Sequence, residues 1–414
     1  MAEGATRSRR GREVTMGYHK TFIDNPNMDE SVSRPAANIW LAVTAIGLAG
    51  TIFAAVDDTR QFYFSYLNAF VFCVTLALGC LFFVVIHHLV RASWSTSFRR
   101  IAENYAANLP YFALLFIPVA IGYHDLFHWS HEGITEKDPI IAWKSGYLNA
   151  PAFFIRAGVF FLLWSLMIWF FRGNSVKQDE TGDTQLTYKM RWWAPLSIIG
   201  FALSITFAGI DWLMSLDPHW FSTMFGVICF AGSMVACFAT LCLTGLWMTK
   251  RGVLTNTLTK GNFHDAGKLM FGFTCFWTYT SFSQFFLIWY GNIPEETAWF
   301  LLRTNEGWEY IGRLLIIGHF ILPFWFLMSR HVKRNRFALG AAAVWLLGMH
   351  YVDLFYIIQP ILHHHLSFDI VANVSTLMAL GGFSVYMAIR RMNTDAVVAH
   401  RDPQLNASMN YDNI

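Results

Sequence analysis

The sequence predicts an all-α polytopic membrane protein of about ten transmembrane helices, and three observations carry that reading. Of 414 residues, 55% are hydrophobic and 17% aromatic, while only 14% are charged, against roughly 25% in soluble domains. The apolar residues fall in blocks of about 20, enough at roughly 1.5 Å of rise per residue to cross a hydrocarbon core of about 30 Å. The blocks lack the alternation of barrel strands, so each reads as a helix. A water-soluble enzyme is excluded.

The blocks run 37 to 56, 67 to 89, 108 to 128, 149 to 171, 191 to 214, 222 to 248, 267 to 290, 309 to 329, 337 to 358 and 370 to 390, and are numbered helix 1 to helix 10. Residues 1 to 36 form a polar, basic amino-terminal tail without the short apolar core and small-residue cleavage site of a signal peptide, so helix 1 is expected to be retained. Residues 37 to 390 make the membrane domain, and 391 to 414 a second tail. The longest internal polar stretch, 173 to 190, is too short to fold alone, which puts the functional surface inside the membrane or at its edge.

Orientation follows from the basic residues. Of 30 Lys and Arg, 24 lie in the two tails and in the loops on the tails' side; Arg60, Lys137, Lys144 and Arg303 lie in the opposite loops, and Arg156 and Arg313 inside helices. Cytoplasmic loops carry the excess of Lys and Arg, so both tails are expected to be cytoplasmic. The six cysteines all sit in apolar blocks and make no CxxC or CxxCH. Covalent haem and iron–sulfur ligation therefore have no usual signature, and no metal, cofactor or catalytic group is expected in this chain.

A weak internal repeat relates helices 2 to 5 with helices 6 to 9. Helix 4 carries Arg156 near its start and ends at Arg172; helix 8 carries Arg313 and ends at Arg330. Helix 5 holds Asp211 and then Pro218 and His219, while helix 9 holds Asp353 and then Pro360 and His363. An offset of four helices keeps both copies in one orientation, which predicts two parallel-repeat four-helix bundles, with helices 1 and 10 flanking them.

Ionisable side chains at the bilayer centre cost roughly 2.5 to 3.5 kcal/mol each on insertion scales, so those at membrane depth are candidates for function. Here they crowd the outer third: His124, Asp125 and His128 on helix 3, Arg156 on helix 4, Asp211 on helix 5, Arg313 on helix 8, His350 and Asp353 on helix 9. Two readings stand: Arg–Asp clamps locking helix 4 to 5 and helix 8 to 9, or a pocket for a protonatable ligand with a proton exit. Ser197, Ser204 and Asp211 recur every seven residues and lie near one face of helix 5, as interhelical hydrogen bonding or as a proton wire. On helix 8, Pro323 cannot donate to the carbonyl of His319, which predicts a kink, lining a wet cavity or simply packed. His87, His88, His264, Asp265 and Lys268 are expected to form a titratable cytoplasmic mouth.

These residues fit a quinone-handling or proton-conducting subunit. A secondary transporter or proton channel outside any electron-transfer complex is the alternative, and a cytochrome b-like haem carrier would need paired histidines at matching depth. Three segments sharpen the choice. GIDWLMSLDPHWFSTMFG (209 to 226), KLMFGFTCFWTYTSFSQFFLIWYGNIPEET (268 to 297) and WSTSFRR (94 to 100) resemble the ActF-type membrane subunits of bacterial alternative complex III. That complex is a quinol:cytochrome c oxidoreductase of the bacterial inner membrane, whose membrane anchors are similar to the NrfD and polysulfide-reductase family. The resemblance implies two four-helix bundles, no haem or cluster in this chain, and quinone or quinol as ligand. It implies as partners a homologous quinol-binding membrane subunit, an iron–sulfur subunit and subunits carrying haem c, with a terminal oxidase and lipids alongside. It singles out Asp211, Asp217 and His219 as motif positions, beside a proton path through the chain.

Overall fold

The computed structural model describes residues 24–410, so most of the basic amino-terminal tail lies outside the described residues. Helices account for the architecture, and no strand occurs among the described residues. Ten long helices are named here in chain order: α1 (Glu30–Asp57), α2 (Thr59–Leu89), the broken α3 (Thr96–Ile121), α4 (Ala150–Thr181), α5 (Gln185–Trp212), α6 (Phe225–Lys250), α7 (Lys260–Gly291), the broken α8 (Trp308–Met328), α9 (Arg336–Ile358) and α10 (Ile370–Thr394). Among the described residues nine helices are long and apolar enough to cross a membrane. The exception is α7, whose Thr, Ser, Gln and charged residues lower its hydropathy, although at 32 residues it is among the longest.

Helix starts follow local chemistry. Asp58 accepts from Gln61 N to cap α2, Asn149 caps α4, Asn335 caps α9, Asp369 caps α10, and Thr259 with Asn262 forms a capping box at α7. Each side chain satisfies an amide that the first helical turn leaves without an intrahelical partner. Pro110 and Pro118 break α3 into three pieces, because proline cannot donate to the preceding turn. The expected kink in α8 takes the form of a π-helical turn, Leu315–Ile321, directly before Pro323.

Two boundaries differ from expectation. The third span starts at Thr96 rather than at 108 and stops at Ile121, because the amphipathic segment Thr96–Ala106 is helical and buried. The polar stretch 173 to 190 is not a free loop: α4 runs through Thr181, Gly182 turns the chain at φ 71°, and α5 resumes at Gln185.

Helices α2 and α6 are innermost, with most of their residues buried. They touch closely at Gly79, where a Cβ would come within 2.2 Å of the Ser233 carbonyl oxygen; small residues let membrane helices approach in this way. Around them, α2 packs on α3, α3 on α4, α4 on α5 and α5 back on α2, while α6 packs on α7, α7 on α8, α8 on α9 and α9 back on α6. The flanking α1 rests mainly on α10, which packs on α2.

The two described ends of the chain meet. Val397 N donates to the Pro26 carbonyl at 2.7 Å, and Ser33 Oγ to Asn393 Oδ1 at 2.8 Å. At this same end lie Asn262 at the start of α7, which donates to the Ser408 carbonyl, while Gln284 near the other end of α7 accepts from Ser222 in the α5–α6 connection.

Candidate functional site

Each four-helix set holds one buried carboxylate toward the end opposite the chain termini. In the first, Asn149 and Pro151 start α4 so that Arg156, in its second turn, faces Asp211 in the last turn of α5. Arg156 Nε donates to Oδ2 of Asp211 at 2.7 Å and Nη2 to Oδ1 at 3.1 Å; Nη1 donates to the Tyr147 carbonyl at 2.9 Å, and the guanidinium lies 3.8 Å over the Tyr147 ring. Asp211 is fully buried. A bidentate guanidinium–carboxylate pair is the strong form of ion pair, and here it pins α4 to α5.

The serine stripe of α5 is occupied elsewhere. Ser204 Oγ accepts from the Trp164 indole at 2.8 Å and donates to the Phe201 carbonyl at 3.1 Å, while the half-buried Ser197 donates to the Trp193 carbonyl at 3.0 Å. Positions seven apart are roughly 10 Å apart along a helix, so these hydroxyls share a face without touching. Their hydrogen bonds run to the Trp164 indole and to carbonyls of α5 itself.

In the second set the expected clamp between Arg313 and Asp353 does not form. Arg313 is exposed and lies 5.6 Å from the centre of the Tyr310 ring, and Asp353 Oδ2 instead accepts from the Trp277 indole nitrogen at 3.0 Å. The Trp277 ring stacks on His319, centroids 3.9 Å apart. His350, one turn before Asp353 on α9, places Nε2 3.0 Å from Thr75 Oγ1 of α2. Four helices thus converge on His319, His350, Asp353 and Trp277, all buried. Both ring nitrogens of His319 and Nδ1 of His350 lack a hydrogen-bond partner among the described residues. Buried polar atoms usually find a partner, so each exception calls for an explanation, and π turns recur at functional sites.

Three expected site residues lie elsewhere. His124, Asp125 and His128 are exposed in the short helical turns Tyr123–Leu126 and His128–Ser130, outside α3, because α3 has already completed its span. Asp125 and His128 lie in two separate turns and so do not share the face of one helix. Asp217 and His219 stand in the connection from α5 to α6: His219 Nε2 pairs with Asp138, its amide donates to Asp217 Oδ1 at 3.2 Å, and Lys144 Nζ donates to the Pro218 carbonyl at 2.6 Å. The His219 hydrogen bond holds the Asp138 carboxyl below its ordinary range, and burial lowers the Lys144 ammonium. This group straps two surface loops together and reaches Asp211 only indirectly, since Tyr147 N donates to the Lys144 carbonyl and Arg156 donates to the Tyr147 carbonyl.

The terminal end carries a network that sequence reasoning missed. Arg99, Arg100 and Glu103, all fully buried on α3, join Asp179 of α4, Asp402 beyond α10, His87 of α2 and Ser175. The i,i+3 and i,i+4 spacing of Arg99, Arg100 and Glu103 was the available signal. His87 and His88 are consequently buried rather than part of an open mouth. Arg303, counted only as a loop cation, is fully buried: it stacks 3.6 Å over Trp299 and donates to the carbonyls of Trp299, Tyr356 and Ile357. Trp277 carried no signal beyond its place in the second motif.

No set of three or more His, Cys, Asp or Glu among the described residues could hold a metal ion. No protein-family model matches this sequence, and no curated protein is significantly similar to it.

Proposed function

We propose that this chain is a cofactor-free subunit of a respiratory quinol oxidoreductase of the alternative complex III kind, in the bacterial inner membrane. On this reading it moves protons beside a homologous subunit that oxidises quinol, with iron–sulfur and haem c subunits taking the electrons. The observation that carries it is the buried cluster of His319, His350, Asp353 and Trp277. It joins two imidazoles and a carboxylate inside a helix bundle, where ionisable groups are costly and mark proton relays. The three motifs support the choice of complex.

The same reading has ten crossings, a parallel repeat and cytoplasmic termini. Contact between Pro26 and Val397 brings both described ends together, which supports an even number of crossings. Counting α7 gives one. The two closed circuits of helix packing support the repeat of α2–α5 in α6–α9. The excess of basic residues on the terminal side supports a cytoplasmic placement.

Chemically, quinol oxidation releases protons together with electrons, and proton transfer needs groups that can take and return a proton within hydrogen-bond reach. Asp353 and His350 share one face of α9, three residues apart. His319 faces them from α8 through the Trp277 ring. Asp211, already neutralised by Arg156, serves as the structural counterpart in the first bundle.

The test is Asp353→Asn in the whole complex. Quinol turnover in detergent should remain near that of the unmodified complex, whereas protons moved per electron in sealed vesicles should fall, and His319→Ala should do the same. Unchanged stoichiometry in both variants would remove the proton role. Loss of quinol oxidation in a fully assembled complex would instead place the chemistry in this subunit.

A further inference from the structure

A cavity of about 470 Å³ lies between the α1–α10 pair and the core helices, in the half of the bundle nearer the chain termini. Its walls are almost wholly apolar: Phe72 and Leu76 of α2, Leu243 and Trp247 of α6, Leu347 of α9 and Met378 of α10 are among them. Trp40 of α1 and Trp247 stand toward its terminal-side edge. No charged side chain lines it. The volume falls within the range of roughly 300 to 1,000 Å³ typical of small-ligand sites.

Two neighbouring glycines on α10 separate what packing requires from what it leaves open. At Gly382 a Cβ would meet Thr44 Oγ1 at 2.8 Å, so the close approach of α1 demands glycine there. At Gly381 a Cβ would meet nothing nearer than Leu377 Cδ1 at 3.8 Å. The missing side chain at Gly381 enlarges the cavity and serves no helix contact.

The cavity wall on α6 continues into charge. Thr240, Leu243, Thr244 and Trp247 line it at helical spacing, and Arg251 falls on the same line one turn beyond Trp247, with Lys250 beside it; both cations are exposed at the end of α6. A tryptophan belt followed by two cations is the arrangement that meets headgroup phosphates at the membrane surface. Basic sites between membrane helices on the cytoplasmic side bind anionic lipid headgroups. Because α1 rests mainly on α10 and only lightly on the core, the apolar space behind the pair stays open to an acyl chain.

We infer that this cavity is a binding site for an anionic diacyl phospholipid of the cytoplasmic leaflet, one acyl chain filling the space beside Gly381 and the phosphate held by Lys250 and Arg251. The bound lipid is a structural wedge that fastens the α1–α10 pair to the core. The inference stands apart from any proton or quinol role of the His319 cluster.

The experiment uses the complete complex, washed in mild detergent, with retained lipid identified and counted by mass spectrometry. The unmodified protein should keep anionic phospholipid under washing that removes bulk lipid. Gly381→Trp, which fills the cavity, should lose one retained lipid per chain. Lys250→Gln combined with Arg251→Gln should keep the cavity and lose the preference for anionic over zwitterionic lipid by about tenfold. If Gly381→Trp assembles poorly, the double glutamine variant still decides the matter, as does adding phosphatidylglycerol or phosphatidylcholine vesicles to the washed protein and following its melting temperature. Equal lipid retention in all variants would overturn the site, as would equal stabilisation by the two vesicle types. Displacement of a quinone or another neutral lipid by Gly381→Trp would overturn the assignment of the occupant.

Discussion

Arg156 grips Asp211 with two parallel hydrogen bonds, whereas Arg313 is exposed and leaves Asp353 to the Trp277 indole. The two buried carboxylates are therefore held differently: Asp211 as half of an ion pair, Asp353 as an acceptor beside two imidazoles. Predictions about the pair and about the cluster separate on that difference.

Breaking one partner of a buried ion pair strands the other, at a cost of roughly 3 to 5 kcal/mol. Arg156 is partly exposed, so the lower end of that range applies. Asp211→Asn should lower the melting temperature and yield of the complex. Adding Arg156→Met should restore much of the loss, because an apolar replacement of both members of a buried pair is often tolerated. Absence of any rescue in the double variant would mean that Asp211 is held by something other than Arg156.

Arg313 and Arg303 should exchange the importance that their positions in the sequence suggest. Arg313→Gln, at an exposed site, is expected to change stability within about 0.5 kcal/mol. Arg303→Met removes charged donors from three carbonyls, each such bond being worth roughly 1.5 to 3 kcal/mol, and should destabilise the complex by at least about 2 kcal/mol. Thermal unfolding of both variants checks the order.

The segment after α10 is fastened by Asp402 to Arg99 and by Asp395 to Arg172. Burial raises the Asp402 carboxyl, but the Arg99 guanidinium outweighs it and the net direction is below the ordinary 3.8. A lowered carboxylate contributes fully above its unfolded value and loses that contribution as pH falls through the folded one. Hydrogen exchange in residues 395–410, corrected for its intrinsic pH dependence, should therefore stay slow down to about pH 4 and accelerate below it. At neutral pH, Asp402→Asn should expose Arg401 to trypsin, and unchanged cleavage would show that the segment is held without this pair.

Orientation can be read with cysteine labels, because five of the six native cysteines are buried. Thr181→Cys and Glu295→Cys sit at exposed positions on opposite sides. A membrane-impermeant maleimide added to intact cells should reach position 295 and not 181. The reverse pattern would invert the topology.

Composition and block length alone determined that this chain is a bundle of helices long and apolar enough to span a membrane, because lipid leaves backbone amides no partner except the helix itself. The charge asymmetry determined an expected orientation by counting, and Pro323 gave the break at His319 through a local steric rule. The spacing of Arg156 and Asp211 on consecutive helices was also enough to suggest their pairing. Tertiary packing decided the rest. Whether Arg313 meets Asp353 depends on which way each helix faces in the assembled bundle, which no residue count reports. That Trp277 supplies the donor instead, and that Asp402 returns to neutralise Arg99, are contacts between residues 76 and 303 positions apart. His124, Asp125 and His128 read as part of the third helix because its start at Thr96 is hidden in a charged, amphipathic segment, whose charges are satisfied by partners from α4 and the tail. Depth in the membrane is a property of the assembled helices, so the sequence could name the ionisable residues but not the neighbours that fix their role.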